Sequence, residues 1–180
     1  MPSPQSLSEV DRRLVAAWAA DCAERVLPIF ESEAPGDDRP QDAIARARAF
    51  ARGELDAAGE IRRRFVAGRA AHAVSTPAAV AAARAAAQAA GVAHMGAHAL
   101  GAAAYAAKAA GLAAPDRPKA TADELRWQIE HMGADVRAAL RALPPLGSDR
   151  AGPLGPGLLV TGVLGASIRE IQVALGAAPV

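Results

Sequence analysis

Cysteine and aromatic residues are scarce in this chain of 180 residues. The single cysteine, Cys22, cannot form an internal disulfide, and no basic and apolar leader opens the sequence, so we expect a cytoplasmic protein. Aromatic residues make up only 3%, and each is therefore expected to anchor a contact between helices: Trp18, Phe30, Phe50, Phe65, Tyr105 and Trp127.

Acidic residues are absent between Ile61 and Ala110, where 6 basic residues occur, whereas residues 1–60 carry 7 basic and 12 acidic side chains. Opposite charge is expected to draw these two regions together in the fold. The cluster Arg62-Arg63-Arg64 has no aromatic residues interleaved with it, and the pI near 8.0 is low for a nucleic-acid-binding domain. We therefore interpret the cluster as a solvated helix face and expect no nucleic-acid partner.

Large apolar side chains are also few. The apolar fraction is 52%, but 50 of those residues are alanine, which buries little area, so close packing of helices must supply much of the stability. The run from Ala85 to Ala107 has no formal charge and is long enough to span a bilayer, but it consists mainly of Ala, Gly, His and Gln. We expect a buried helix of a soluble protein there and no membrane partner.

What the sequence does contain is helical periodicity with clear start and stop signals. Ser8 and Thr76 are typical N-caps, and Thr121-Ala-Asp-Glu124 has the capping-box pattern. The predicted helices run from Ser8 to about Phe30, Pro40 to Gly53, Glu54 to about Val74, Pro77 to Gly111, Thr121 to Leu143 and Leu158 to Leu175. Glycines 91, 96 and 101 mark points where the alanine-rich helix bends or splits.

These segments predict an all-α fold, an antiparallel helical bundle of five to seven helices. The bundle domain is expected to cover residues 1–143. Residues 144–180 begin as a Pro/Gly-rich linker and end in an apolar segment that packs on the bundle or on a second subunit, in which case the protein is a homodimer.

His94 and His98 are the most concentrated chemistry in the sequence. If the helix is continuous, they share one narrow stripe with Gly101 and Tyr105, flanked by residues too small to cover it. Two further ligands for a metal would have to come from other helices, from His72, His131, Asp21, Cys22 or Glu24. The metalloprotease and di-iron spacings are absent, so we expect no metal and no cofactor.

Two interpretations of the histidines remain open. They are either buried against alanines with a hydrogen-bond partner, or they line a pocket that contacts a ligand or a protein. The candidate binding residues are His94, His98, Tyr105 and His72, with Trp18 and Asp21 facing them from another helix. Asp21 either pairs with Arg25 one turn away or turns inward to orient a histidine. No catalytic cysteine motif, nucleophile elbow or phosphate-binding loop accompanies them.

Several segments, taken together, carry a family resemblance: Asp11 to Pro28 with Trp18 and Asp21-Cys22, then Asp38-Arg-Pro40 with Ala43-Ile44, Ala71-His72, and Ala93-His94-Met-Gly-Ala-His98-Ala-Leu-Gly101 through Tyr105. In these motifs the chain resembles the bacterial putative immunity protein family, the immunity-five-like group assigned to polymorphic-toxin systems. The resemblance covers residues 11–110 and continues more weakly to about Leu143. The Pro/Gly-rich tail departs from it.

The resemblance implies a cytoplasmic immunity protein that binds and neutralises a cognate toxin without catalysis. The acidic stretch Glu31 to Asp38 is then either a contact for a basic toxin surface or merely a charged loop. The alternative function is a small-molecule-binding protein or a biosynthetic enzyme with a pocket lined by His94, His98 and Tyr105. In such an enzyme, a neutral histidine acts as the general base.

Overall fold

The computed structural model describes residues 3–63 and 65–176, and that part of the chain is all-α as predicted. Its nine α-helices are α1 (Glu9–Glu31), α2 (Arg39–Ala51), α3 (Ala57–Arg63), α4 (Val66–Ala70), α5 (Pro77–Gly91), α6 (His98–Ala113), α7 (Arg117–Glu130), α8 (Ala134–Arg141) and α9 (Gly162–Ala174). Two 3₁₀ turns, Pro4–Ser6 and Leu158–Val160, flank the bundle in sequence. No helix in the described ranges is both long and apolar enough to cross a membrane.

The number of helices exceeds the expected five to seven because predicted helices are divided. The segment from Glu54 to Val74 forms two short helices, α3 and α4, the alanine-rich segment from Pro77 to Gly111 forms α5 and α6, and the segment from Thr121 to Leu143 is divided between α7 and α8. Gly91 ends α5, and a turn of six residues leads to the start of α6 at His98. The alanine-rich helix therefore splits in its glycine-containing stretch, as its spaced glycines suggested, whereas the expectation of one helix from Thr121 to Leu143 is wrong.

Helix starts follow the capping signals in two of three cases. Ser8 Oγ accepts a hydrogen bond from the Asp11 amide at 3.1 Å, and Thr76 Oγ1 accepts one from the Ala79 amide at 3.3 Å. The predicted cap at Thr121 is wrong, because α7 already begins at Arg117. Asp116 caps it instead, and the Thr121 hydroxyl donates to the Arg117 carbonyl inside the helix.

The core is built from alanine faces pressed closely together. The helix α5 packs mainly on α6, and both pack on α1, which also contacts α2 and α8. Nearly every residue of α6 from Ala99 to Ala107 is fully buried. Phe30, Phe50 and Leu100 fill the larger gaps. Phe65 departs from the expected role of the aromatic residues, since 61% of it is exposed.

The segment after α8 lies on the bundle. The helix α9 packs on α6 and α7, and Gln172 on α9 joins it to the linker, accepting from the Leu146 amide at 3.0 Å and donating to the Pro144 carbonyl at 3.0 Å. Leu154, in the Pro/Gly-rich part, is completely buried. Residues 177–180, and the side chains of the arginine cluster at 62–64, lie outside the described part of the chain.

Gln5 clamps three distant segments together. Its side chain is completely buried, and its amide donates to Asp149 Oδ2 at 2.8 Å and to the Ala151 carbonyl at 2.6 Å. Its Oε1 accepts from the Leu154 amide at 2.9 Å, while its own carbonyl accepts from the Ala97 amide at 3.0 Å. One residue therefore holds the tail loop against the turn that carries the histidines.

Truncating this side chain should cost substantial stability. We expect Gln5→Ala to lower the free energy of unfolding by about 2–4 kcal/mol, because it leaves the buried Leu154 amide without a partner and removes two further hydrogen bonds. Urea unfolding followed by circular dichroism measures this change. Gln41→Ala is the control, since Gln41 is exposed on α2 and should change stability by less than about 0.5 kcal/mol. Equal effects of the two substitutions would contradict the clamp.

Candidate functional site

A cleft of about 490 Å³ opens between α5, the start of α6 and the tail loop. We call it the α5–α6 cleft. Its polar lining consists of Arg84, Gln88, His94, His98 and Tyr105, and Gly152 and Pro153 form the wall contributed by the tail. A second cavity of about 270 Å³ shares most of these residues and continues along the tail to Leu159. No Asp or Glu belongs to the described lining of either cavity.

The two histidines meet in this cleft although they do not share a helix. His94 lies exposed in the turn after α5, and the half-buried His98 begins α6, with their ring centroids 6.5 Å apart. The expected stripe on one helix is therefore wrong for His94. It holds for His98 and Tyr105, which are two turns apart on α6 and line the same cleft.

A hydrogen bond to Gln88 fixes the His98 ring. His98 Nδ1 lies 2.8 Å from Gln88 Oε1, and because this oxygen is an acceptor, Nδ1 is the nitrogen that carries the proton. The other ring nitrogen, Nε2, then keeps its lone pair and makes no hydrogen bond within the described residues. The side chain of Gln88, on α5, thus sets both the orientation and the tautomer of the histidine on α6.

Two glycines make this pairing possible. A Cβ on Gly91 would lie 3.0 Å from His98 Cγ, and a Cβ on Gly101 would lie 2.4 Å from Gln88 Oε1. The absence of side chains at these positions lets the imidazole and the amide approach each other between the helices. The spaced glycines of the sequence therefore shape the site in addition to allowing the helices to pack.

Burial and, to a smaller extent, the charge of His94 together lower the pKa of His98 to about 4. His98 is consequently neutral at neutral pH. A histidine with so low a pKa is a weak general base under these conditions, because efficient proton transfer needs a pKa close to the working pH. The arrangement favours a binding role for this imidazole over a catalytic one.

Tyr105 and Arg84 present hydrogen-bond donors with no partner among the described residues. Only 5% of Tyr105 is exposed, it lines both cavities, and its hydroxyl makes no hydrogen bond in that part of the chain. Arg84 is exposed on α5, one turn before Gln88, and forms no ion pair there. Because the Tyr105 hydroxyl opens onto the cavities, it can donate a hydrogen bond to a group bound there.

Three of the six predicted site residues lie elsewhere. Trp18 is buried, and its indole Nε1 donates to the Gln128 carbonyl at 3.0 Å. Asp21 is exposed and pairs with Arg48 at 2.7 Å. His72 is exposed at the end of α4. None of the three lines the α5–α6 cleft, so the structure brings together only His94, His98 and Tyr105 of the predicted set.

Arg25 does not pair with Asp21 as its spacing suggested. Its guanidinium binds the buried Glu124 at 2.9 Å and stacks on the Trp127 ring at 3.9 Å. The turn through Asp21 therefore faces α2 and Arg48, and Asp21 does not orient a histidine.

The acidic stretch from Glu31 to Asp38 is partly engaged inside the protein. The Glu33 carboxylate accepts hydrogen bonds from Ser75 and Thr76, which lower its pKa to about 2, and Asp37 pairs with Arg39. These contacts leave fewer free carboxylates for a basic partner than the sequence suggested.

Metal-binding and nucleophilic groups are not assembled within the described ranges. No three His, Cys, Asp or Glu side chains come together there in a way that would hold a metal ion. Cys22 is completely buried in α1, and burial raises the pKa of its thiol well above the usual value. The reactive thiolate is therefore disfavoured at this position.

Sequence reasoning missed Arg84 and Gln88. Each interrupts an alanine run, and Arg84 is the only charged residue of α5. Because the two are four residues apart, they lie on one face of the helix, which is the signal that would have identified them. The position of Arg84 and Gln88 relative to His98 depends on how α5 packs against α6, and no local sequence pattern indicates this packing.

Comparison with known proteins identifies one family. The family described as "Imm-5 like putative immunity protein" matches residues 5–135, which is more than half of the chain. The matched range includes α5 and α6, which form two walls of the cleft, and it ends before the tail loop. No curated protein and no solved structure matches the chain significantly.

The low pKa of His98 predicts that stability falls on acidification. The unfolded chain takes up a proton at this histidine near pH 6.5, whereas the folded protein does so only near pH 4, so stability is lost as the pH falls through that window. After allowance for solvent screening of a half-buried ring, we expect the free energy of unfolding to fall by about 1 kcal/mol between pH 7 and pH 5. Urea unfolding at several pH values measures it.

The substitution His98→Asn should remove most of this pH dependence, since its amide still donates toward Gln88 Oε1 but does not titrate. His72→Asn, on an exposed histidine outside the cleft, should retain the dependence of the wild type. If the stability of His98→Asn depended on pH as that of the wild type does, the loss of stability on acidification could not be assigned to His98.

Proposed function

Because the chain belongs to the Imm-5 like putative immunity protein family, we propose that it binds a cognate toxin and neutralises it by occupying the toxin's surface, without catalysis. The observation that carries this proposal is the α5–α6 cleft, a concave surface whose Arg84 and Tyr105 side chains have no hydrogen-bond partner among the described residues. Such a surface accepts a protruding side chain or loop of a partner.

The cleft walls support a binding role. Gln88 and His98 fix each other, and the Gln5 clamp holds the tail loop in place, so the lining is ordered before a partner arrives. A preorganised surface loses less conformational entropy on association. The neutral state of His98 at neutral pH also favours binding over proton transfer.

A second candidate function is small-molecule binding in the same cleft. Its volume of about 490 Å³ lies within the range of ligand pockets, and His94, His98 and Tyr105 supply polar contacts to a bound compound. A toxin and a small molecule would then compete for one site. Stoichiometry and ligand screening distinguish the two functions.

Filling the cleft should abolish protection. We expect co-expression of the protein with the toxin encoded beside its gene to restore growth, and Ala87→Phe to weaken toxin binding by about tenfold or more because the ring occupies the cleft. Growth assays and calorimetric titration of the purified proteins measure the two effects. Ala45→Phe is the matched control, since Ala45 is an exposed helical alanine of α2 outside the cleft.

Neutralisation by binding should be stoichiometric. Inhibition of the purified toxin is expected to be complete at an equimolar amount of the protein and to reverse on dilution. Protection at far lower amounts would mean turnover and would overturn the non-catalytic mechanism. Failure of every neighbouring gene product to bind would refute the toxin partner, and a ligand that raises the melting temperature of the wild type but not of Ala87→Phe would then support the second function.

A further inference from the structure

We propose that the α5–α6 cleft is a carboxylate-binding site, in which Arg84 and Tyr105 donate to a carboxylate and His98 accepts a hydrogen bond from a donor on the same ligand. Where the carboxylate belongs to a toxin, this inference rests on the proposed function and identifies an acidic side chain as the group that enters the cleft. The site itself is defined by residues of this chain alone.

The electrostatics of the lining select an anion. Arg84 is the one charged residue of the described lining of both cavities, and it forms no ion pair within the described residues. The walls come largely from the segment between Ile61 and Ala110, which has no Asp or Glu. Asp149, on the tail loop, is already engaged by Gln5 and by the Arg150 amide. A guanidinium in such surroundings attracts negative charge.

A carboxylate fits this cleft better than a phosphate does. Arg84 is the one permanently charged side chain of the described lining, and one carboxylate balances its charge whereas a phosphate exceeds it. The planar fork of arginine also matches the two oxygens of a carboxylate. The Arg84 guanidinium therefore favours a carboxylate, which is planar and carries one charge, over a phosphate.

Tyr105 is the second, independent observation. Its side chain is almost entirely buried, and its hydroxyl lacks a partner among the described residues while lining the same two cavities as Arg84. The hydroxyl opens onto these cavities, so it can donate a hydrogen bond to a ligand oxygen there. Tyr105 thus provides a second donor in the cleft that Arg84 also lines.

His98 adds a requirement for a donor. Gln88 holds the proton on Nδ1, so Nε2 presents a lone pair that would repel a carboxylate oxygen and accept an N–H or O–H group. The ligand should therefore carry an amide or hydroxyl beside its carboxylate. A glutamate or aspartate residue within a peptide meets this requirement, and so does a free acyl amino acid.

The probe for this site is N-acetyl-L-glutamate with its α-carboxyl group blocked as the methylamide, so that it carries one carboxylate, and N-acetyl-L-glutamine methylamide is its neutral counterpart. We expect the carboxylate probe to perturb the NMR resonances of His98 and Tyr105 in a saturable way and to bind at least tenfold more tightly than the amide probe. Inorganic phosphate is the competing anion. Equal binding of the two probes, tighter binding of phosphate, or perturbations confined to residues outside the cleft would overturn the proposal.

Substitutions locate the donors. Arg84→Gln should weaken binding of the carboxylate probe at least tenfold, and Tyr105→Phe should weaken it severalfold while preserving the packing of the ring. Arg150→Gln changes the net charge equally on an exposed tail residue outside the described lining and should leave the affinity unchanged. Thermal unfolding verifies that each variant is folded. If Arg150→Gln lost as much affinity for the probe as Arg84→Gln does, the loss would be due to net charge alone. That result would overturn the proposed site.

Binding of the toxin and of the probe by wild type and by Arg84→Gln shows whether the carboxylate belongs to the toxin. If Arg84→Gln loses toxin binding together with probe binding, the acidic group belongs to the toxin. If the probe binds but no toxin does, the carboxylate site stands and the proposed function fails. If the toxin binds Arg84→Gln as tightly as wild type, and the probe does not bind, the proposed function stands and the carboxylate site is refuted.

Discussion

The close approach of α5 and α6 is the constraint on which the rest of the structure depends. Their contacting faces are almost entirely alanine, and residues such as Ala85, Ala103 and Ala106 are completely buried between the helices of the core. Alanine contributes little transfer free energy, so stability must come from dispersion contacts summed over many close atoms. The same closeness forces glycine at positions 91 and 101, and it leaves the longer side chains of Gln88 and His98 to meet at the edge of the interface.

Much of the fold follows from local signals. Ser8 and Thr76 start their helices through their own hydroxyl groups, and hydrophobic spacing identifies α1 without any long-range information. The division between α5 and α6 is harder to predict, because alanine favours a helix on both sides. Where one helix ends and the next begins depends on the turn around Gly96. That turn is fixed by Leu7, whose side chain occupies the space a Cβ of Gly96 would need, and such a tertiary contact has no local signature.

The candidate site shows the same limit. His94, His98 and Tyr105 were recognisable because polar residues are rare in an alanine-rich segment, and the cleft does contain them. Trp18 and Asp21 were expected to face the histidines from another helix, but the helix they occupy presents them to Gln128 and to Arg48. Arg84 and Gln88 were overlooked because their role arises from the crossing of two helices. Charge segregation along the sequence, with no acid from Ile61 to Ala110, proved the more informative guide, since that segment supplies most of a cleft wall without carboxylates.

The Gln5 clamp has a consequence for how the protein is made. It joins residue 5 to residues 149, 151 and 154, so this set of hydrogen bonds can form only after the chain has been synthesised through residue 154. Contacts between residues so far apart in sequence form late, because the entropy of closing the loop must be overcome first. Because folding proceeds from the N-terminus during synthesis, we expect α5 and α6 to pack before the tail loop docks. The wall of the cleft that contains Gly152 and Pro153 is then put in place after the walls formed by α5 and α6.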